Sequence, residues 1–545
     1  MGFKWGRSVL LGLLVVALVG CAEEKNITVS SCTTALSGTS WIPSVSGASS
    51  AQHDGATTVT TDVYSGTGEL VGLAQGLVTS KEITMNIDMS TDLGDNGSLT
   101  LDATVTSFPS SVLSSGSAYP VLVSLNDGVN ELVNLARAGG GSDCVASGLF
   151  SCTGGVCTNN DQCTVNSPSA FVDRRHWLQN NVPSYGYSST NTFPTCNSNT
   201  GTPTCNFGTG GANFFNGLGK LRSGPGVTYV AKYILVASNY SSLSGGLNAT
   251  LQVNAIRKKD TSAVAGSGNG AIDLNVILVG TSTIQDSRTD KGKQNLDAML
   301  SSVQEQFNQS GTGIRLGTLT SYEWTCENGG DGYSQVSAAE INQLFQQGSA
   351  LLPSSANGKA VNLFVLSSIT NPSSNGTILG LAGAIGGPIY NGTGGSGFAV
   401  ATFGQLDTYN PNCNSTCTTS EQESQFRELA STVSHEMGHY LGLNHLNESN
   451  GATADPIADT PECSTTTIGG QPYVTVSSCL SGGSCSAGCS GYNGATTFCP
   501  STSACQFNHM MWWTSKNFEE GTTDGDGQLF STESSAILNY HPLVY

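Results

Sequence analysis

The stretch His435-Glu436-Met437-Gly438-His439-Tyr440-Leu441-Gly442-Leu443-Asn444-His445 decides how this chain is read. Its pattern is H-E-x-x-H-x-x-G-x-x-H. On a helix, His435 and His439 stand at i and i+4, so both imidazoles leave one face and can grip one metal ion. Glu436 follows the first histidine and lies beside that face, where it can hold and deprotonate a water. Gly442 adopts a left-handed conformation at low steric cost, which lets the helix stop and the chain turn back. His445 then comes within reach as a third ligand. Three protein ligands and one open position make a catalytic zinc site, whereas structural zinc sites are closed by four.

Just upstream, Ser420 has the chemistry of an N-cap, with Glu423 spaced to complete a capping box. Phe426, Leu429, Ala430 and Val433 share one apolar face, and the spacing predicts a helix to about Leu441. Earlier residues alternate strand and helix signals. Leu274–Val279, Ile314–Leu319, Val361–Leu366 and Phe398–Thr402 read as strands. Lys291–Phe307 and Ser337–Gln347 read as helices, the second with a Ser337/Glu340 capping box. This alternation predicts a mixed sheet packed on helices.

Before about residue 262 the pattern is different. Thr57–Tyr64, Glu82–Met89, Ser98–Val105, Pro120–Ser124, Val227–Ala237 and Leu247–Ile256 are short β-branched runs, punctuated by clusters such as Asp95-Asn96-Gly97. Such spacing predicts a β-sandwich. A cysteine-rich stretch at about 144–205 reads as a disulfide-stapled insertion. It carries Asp173-Arg174-Arg175-His176-Trp177, a binding patch or a solvated turn. Asp260 to Gly270 lacks apolar period and reads as a linker.

The chain has 545 residues, enough for two or more domains, and a formal net charge of −19. That charge argues against binding nucleic acid through its phosphates. Lys4 and Arg7 followed by the apolar run Val9–Val19 read as an export signal, too short to span a bilayer comfortably. The ending Leu18-Val19-Gly20-Cys21 resembles a bacterial lipobox. That implies cleavage before Cys21, lipidation of Cys21 and, with Ala22 next, an outer-membrane or cell-surface location. Setting Cys21 aside, the 17 cysteines leave an even number, which suits disulfides in an exported protein.

The zinc motif followed by Asn508-His509-Met510-Met511-Trp512 resembles the metzincin zinc peptidases, with Met510 in the methionine turn. Asp455-Pro456-Ile457-Ala458-Asp459-Thr460-Pro461 and Leu379-Gly380-Leu381-Ala382-Gly383 resemble segments of the pappalysin group. The likeness covers about 270–545, including a final helix from Ser531. Taken with the export signal and the N-terminal strand pattern, it gives an expected α+β chain in three parts. Residues 1–20 would be a lipoprotein signal peptide and 21–262 a β-rich, sandwich-like domain. Residues 263–545 would be a zincin-like catalytic domain with a mixed twisted sheet, an active-site helix and a Met-turn. It further implies that an extended peptide substrate pairs with an edge strand near Leu379–Gly383. Trp512 departs from the tyrosine several metzincins carry there, and indole cannot donate a phenolic hydrogen bond. Trp512 and Trp513 either shape the substrate pocket or fill the core.

Calcium is a second candidate cofactor. By the resemblance, Asp455, Asp459 and Thr460 are candidate ligands. Separately, Asp524, Asp526, Gly527 and Glu533 have EF-hand-like spacing, although Thr522 holds the first position; the other reading is an acidic turn capping the last helix. The expected function is zinc-dependent endopeptidase action on proteins or peptides from the bacterial cell surface, with Glu436 as general base. The other reading is a surface adhesin carrying a vestigial peptidase domain. Intact His435, Glu436, His439 and His445 weigh against that second reading.

Overall fold

The computed structural model describes most of residues 57–134, 221–260, 270–324, 335–402 and 426–445, together with 510–511 and 532–544. It also describes isolated strands at 38–41, 150–152, 163–165, 184–188, 209–215, 466–468 and 471–473. Cys21, Ser420, Glu423, Asp455, Asp459, Thr460, Trp512, Trp513, Asp524 and Asp526 lie outside the described residues, as do residues 261–269 and most of 144–205.

The N-terminal half supplies β1 (Gly38–Trp41), β2 (Thr57–Gly72), β3 (Leu77–Ser80), β4 (Ile83–Asp88), β5 (Ser98–Ser107), β6 (Ala118–Asn126) and β7 (Glu131–Asn134). It continues with β8 (Phe150–Cys152), β9 (Cys163–Val165), β10 (Ser184–Ser188), β11 (Thr209–Phe215), β12 (Thr228–Ser238) and β13 (Asn248–Asp260). Each predicted run became a strand, and most proved longer than its apolar alternation suggested. Two separate sheets were expected. The strands instead form one ten-stranded hydrogen-bonded path, β10-β11-β5-β13-β2-β3-β12-β6-β7, with β4 on β12. The reason is β2, whose first thirteen residues pair with β13 and whose last three pair with β3, joining the two halves. One core fills the space between those halves. Leu99, Leu101, Ala103 and Val105 of β5 and Leu251 and Val253 of β13 meet Ile83, Met85 and Ile87 of β4 and Tyr229 and Leu235 of β12.

β14 (Ala271–Val279), β15 (Arg315–Trp324), β16 (Gln335–Ser337), β17 (Val361–Leu366), β18 (Ser368–Thr370), β19 (Thr377–Ile378), β20 (Gly380–Ala382) and β21 (Phe398–Ala401) follow. A second sheet takes the order β1-β15-β14-β17-β21-β20. Its middle strands are parallel, while β1 and β20 are antiparallel edges. The parallel strands are apolar on both faces because helices cover both. On one face lie α1 (Asp290–Gln309), α3 (Arg427–Tyr440) and α4 (Thr532–Tyr540), packed through Met299, Val303, Leu429, Val433 and Leu538. On the other lies α2 (Ile341–Ala350), with Ile341, Leu344 and Phe345 against Ile277 and Phe364. β22 (Thr466–Ile468) and β23 (Gln471–Tyr473) form a separate hairpin.

Two helix starts differ from expectation. α3 has Phe426 at its N-cap with no side-chain cap, in place of Ser420. Burial of Phe426 and Leu429 holds this end instead. Ser337 closes β16, and α2 begins at Ile341. Glu340 Oε2 still accepts from the Ser337 amide and hydroxyl, both at 2.9 Å, so the predicted pair forms one turn ahead of the helix.

Candidate metal centre

α3 crosses beneath the β20 edge and delivers His435, Glu436 and His439 from one face. At its end Leu441 N–H reaches the Met437 carbonyl and Gly442 N–H the His439 carbonyl, each at 2.9 Å. Gly442 has φ +119°, where a side chain would be strained, and the chain turns there toward His445. The turn brings His445 Nε2 to 3.2 Å from His435 Nε2 and 3.1 Å from His439 Nε2. Among the described residues, these three histidines form the group with metal-ligand geometry.

Their protonation follows from their outer partners. His435 Nδ1 lies 2.6 Å from the Met510 carbonyl, and His439 Nδ1 lies 2.8 Å from the Leu443 carbonyl. A carbonyl only accepts, so both Nδ1 atoms carry the proton and both Nε2 atoms of neutral rings present lone pairs to His445. One proton on His445 could serve only one of them well; a cation at the common focus serves all three. Nitrogens about 2.0–2.1 Å from a tetrahedral zinc stand roughly 3.3 Å apart, close to the spacing here. The residues present therefore fit zinc.

The expected methionine turn also reaches the site. Met510 and Met511 are buried under α3; Ser431 Oγ contacts Met510 Sδ at 3.9 Å. A Cβ on Gly438 would meet Met511 Sδ at 2.5 Å, so Met511 occupies the space that glycine leaves open. The resemblance pointed to Met510 in a methionine turn. It carried no sign that the Met510 carbonyl would orient His435, because a backbone contact leaves no residue-type signal.

Glu436 is 6% exposed and wedged against β20. The Ala382 N–H donates to its carboxyl. Burial pushes that carboxyl up to about 8, and the Ala382 hydrogen bond opposes the shift. A Cβ on Gly380 would lie 2.5 Å from Glu436 Cγ and 2.8 Å from its Oε1, so only glycine leaves room for the carboxyl in this place. Leu379 O and Gly383 N–H bond into the sheet, to Ala401 N–H and Gly397 O. Alternation along an antiparallel strand then turns the backbone groups of Gly380 and the Ala382 carbonyl outward to an edge that no other described strand pairs.

The loop 383–397 closes the site from behind. Gly386 N–H and Gly387 N–H cap the His439 and Tyr440 carbonyls at the end of α3, at 3.1 and 2.6 Å. Tyr440 Oη donates to the Pro388 carbonyl at 2.6 Å. Asn362 donates to Asn391 Oδ1 and the Ser396 carbonyl, and Gly392 N–H to Ser349 Oγ, which roots the loop in the sheet and α2. The structure bears on one of the six candidate calcium ligands. Glu533 falls on α4, and the other five lie outside the described residues.

Residues 272–513 match the family model described as Metallo-peptidase family M12. No curated protein matches the chain. The matched span contains His435, Glu436, His439, His445 and Met510, and together with the histidine geometry it supports a zinc metallopeptidase.

Proposed function

We propose that this chain is an exported zinc endopeptidase of the metzincin type, resembling the pappalysin group in motif, carried on the bacterial cell surface by a lipid on Cys21. The observation that carries the enzymatic reading is the convergence of three Nε2 atoms, two from one helix and one from the turn after it, beside the buried carboxyl group of Glu436 under the β20 edge of the sheet. His435, His439 and His445 would hold zinc, which when bound polarises a scissile carbonyl and acidifies a water. Glu436 is the general base in this reading. Its carboxyl takes the proton of the attacking water and returns it to the leaving amine. The Ala382 N–H and the absence of a Cβ at Gly380 hold that carboxyl in one place. A peptide laid extended along β20 would add one more antiparallel strand to the edge, bonding the outward groups of Gly380 and the Ala382 carbonyl. Peptide is favoured over a compact substrate because a sheet edge recognises extended backbone. The Asp455 and Asp524 segments remain candidate calcium sites within this proposal.

The test is cleavage of a mixed peptide library by residues 22–545, with and without chelator, beside Glu436→Ala. Cleavage should need metal, and Glu436→Ala should lower kcat/KM by roughly 10²–10⁴-fold while zinc content is kept. Equal cleavage by the variant, or none by the wild type even after proteolytic processing, would sink the proposal.

A further inference from the structure

Strand β13 alternates buried and half-buried residues up to Ala255, then is buried on both faces from Ala255 to Lys258. One face belongs to the module core. The other carries Asn254, Ile256 and Lys258, which stand opposite Asp102, Thr100 and Ser98 of β5. An isolated sheet would give this second face to water. Here Ser98, Thr100, Asp102, Ile256 and Lys258 are all buried. What covers part of this face is the C-terminal end of the catalytic half.

The contacts are specific. Lys258, 1% exposed, points its ammonium at the end of α4, donating to the Asn539 carbonyl and, at 3.4 Å, to the His541 carbonyl. A cation at a helix C-terminus meets carbonyls that have no helical partner and the negative end of the dipole. Ser98 Oγ donates to the Tyr540 carbonyl at 2.7 Å. Asn254 Nδ2 donates to Tyr390 Oη at 3.2 Å, touching the loop 383–397 directly.

His541 carries the tie onward. Its Nδ1 accepts from Leu543 N–H, so the proton sits on Nε2, which donates to the Gly387 carbonyl at 3.2 Å. Gly387 is the residue whose N–H caps Tyr440 at the end of the active-site helix. The ring of His541 also faces that of Tyr440 at 6.1 Å. A third tie is independent of these: β1, from ahead of the module, is the edge strand on β15 of the catalytic sheet.

We propose that the N-terminal β-rich module is a permanent brace of the metal centre, with Lys258 and His541 as positioning residues that act through loop 383–397 on the end of α3. The module is therefore neither a removable prosegment nor a spacer. Both routes, Lys258 to His541 to Gly387 and Asn254 to Tyr390, end on the loop that caps the His439 and Tyr440 carbonyls. Loss of either route loosens the turn that sets His439 against His445. The inference rests on the reading of the three histidines as a metal site.

The test uses residues 22–545 and reads zinc affinity by chelator competition, with the visible spectrum of the cobalt(II) form as a signature of ligand geometry. Lys258→Met and His541→Leu should weaken zinc by roughly tenfold and alter the cobalt spectrum, with far-ultraviolet dichroism kept. His541→Gln retains an Nε2 donor for Gly387 and should stay within about threefold of wild type. A protease site inserted in 261–269 gives a second arm that needs no buried substitution. After cutting, the halves should co-elute, and the zinc affinity of the pair should hold. Unchanged zinc affinity in both Lys258→Met and His541→Leu would overturn the inference. So would a freely separated 270–545 half that binds zinc as tightly as the whole chain. Wild-type protein that takes up no zinc would remove the metal-site reading, and this inference with it.

Discussion

Glu436 is held by what its neighbours lack as much as by what they offer. Gly380 gives it room and Ala382 gives it an N–H. Gly380→Ala must push the carboxyl away from the β20 edge, because the new Cβ would overlap Glu436 Cγ and Thr432 Cγ2. A displacement near 1 Å costs about 10²-fold in rate, so kcat should fall by about that factor while zinc stoichiometry is unchanged. Peptidase assays beside metal analysis check this, and a fully active Gly380→Ala enzyme would contradict it. Gly442 acts on the ligands. Its φ of +119° is strained for any other residue, so Gly442→Ala should destabilise the fold by about 1–3 kcal/mol and weaken zinc by displacing His445. Denaturant unfolding with and without zinc reads both effects. The three histidines, the glutamate and the glycine were legible in the sequence because their spacing along one helical turn and one reversal is local. The need for glycine at 380 was not, since it arises from a residue 56 positions away.

At the scale of the element, the outer face of β5 and β13 sets a pH dependence. Asp102 is buried there with Asn254 as hydrogen-bond partner, and among the described residues its Oδ2 has no partner. Burial raises its carboxyl from 3.8 to about 7, so the folded state takes up a proton that the unfolded chain does not hold between those values. The stability contributed by the neutral acid is complete below about 3.8 and is lost as pH rises through about 7. Over that window the loss is roughly 4 kcal/mol at most. The charged group on the same face is Lys258, four residues along β13 from Asn254. Asp102→Asn keeps the shape and removes the titration. Its stability relative to wild type should therefore rise steadily from pH 4 to pH 7, as measured by urea unfolding, and a flat difference would refute the assignment. Element existence was well predicted, because each strand carries its own alternation. Element ends were not. β15 extends to Trp324 and β2 to Gly72 because their partners continue, not because their own residues ask for it. α3 has Phe426 at its N-cap with no side-chain cap, six residues beyond the Ser420 start expected from the sequence, and burial of Phe426 and Leu429 holds that end.

At the scale of the whole molecule, ties through β1, Lys258, Ser98 and Asn254 join the two halves at separate points. Thermal unfolding of the zinc-loaded chain should then show one calorimetric transition, and chelation should lower the midpoint of that whole transition. Two well-separated transitions, with only one moved by chelator, would mean that the halves fold independently.

The sequence by itself pointed to the three histidines and Glu436 as one cluster, to the Ser337–Glu340 pair, and to the class of element nearly everywhere described. These depend on residues within a turn or a strand of one another. Only the tertiary structure decided that β2 would join the module into one sheet, that β1 would serve the catalytic sheet, and that the Met510 carbonyl would orient His435. It alone brought Lys258 and His541 behind the active-site helix. Each of those outcomes pairs residues far apart in the chain, through backbone groups that every residue carries, so no residue type could announce them. The motif from His435 to His445 names the chemistry; the fold around it supplies the wall, the edge and the brace.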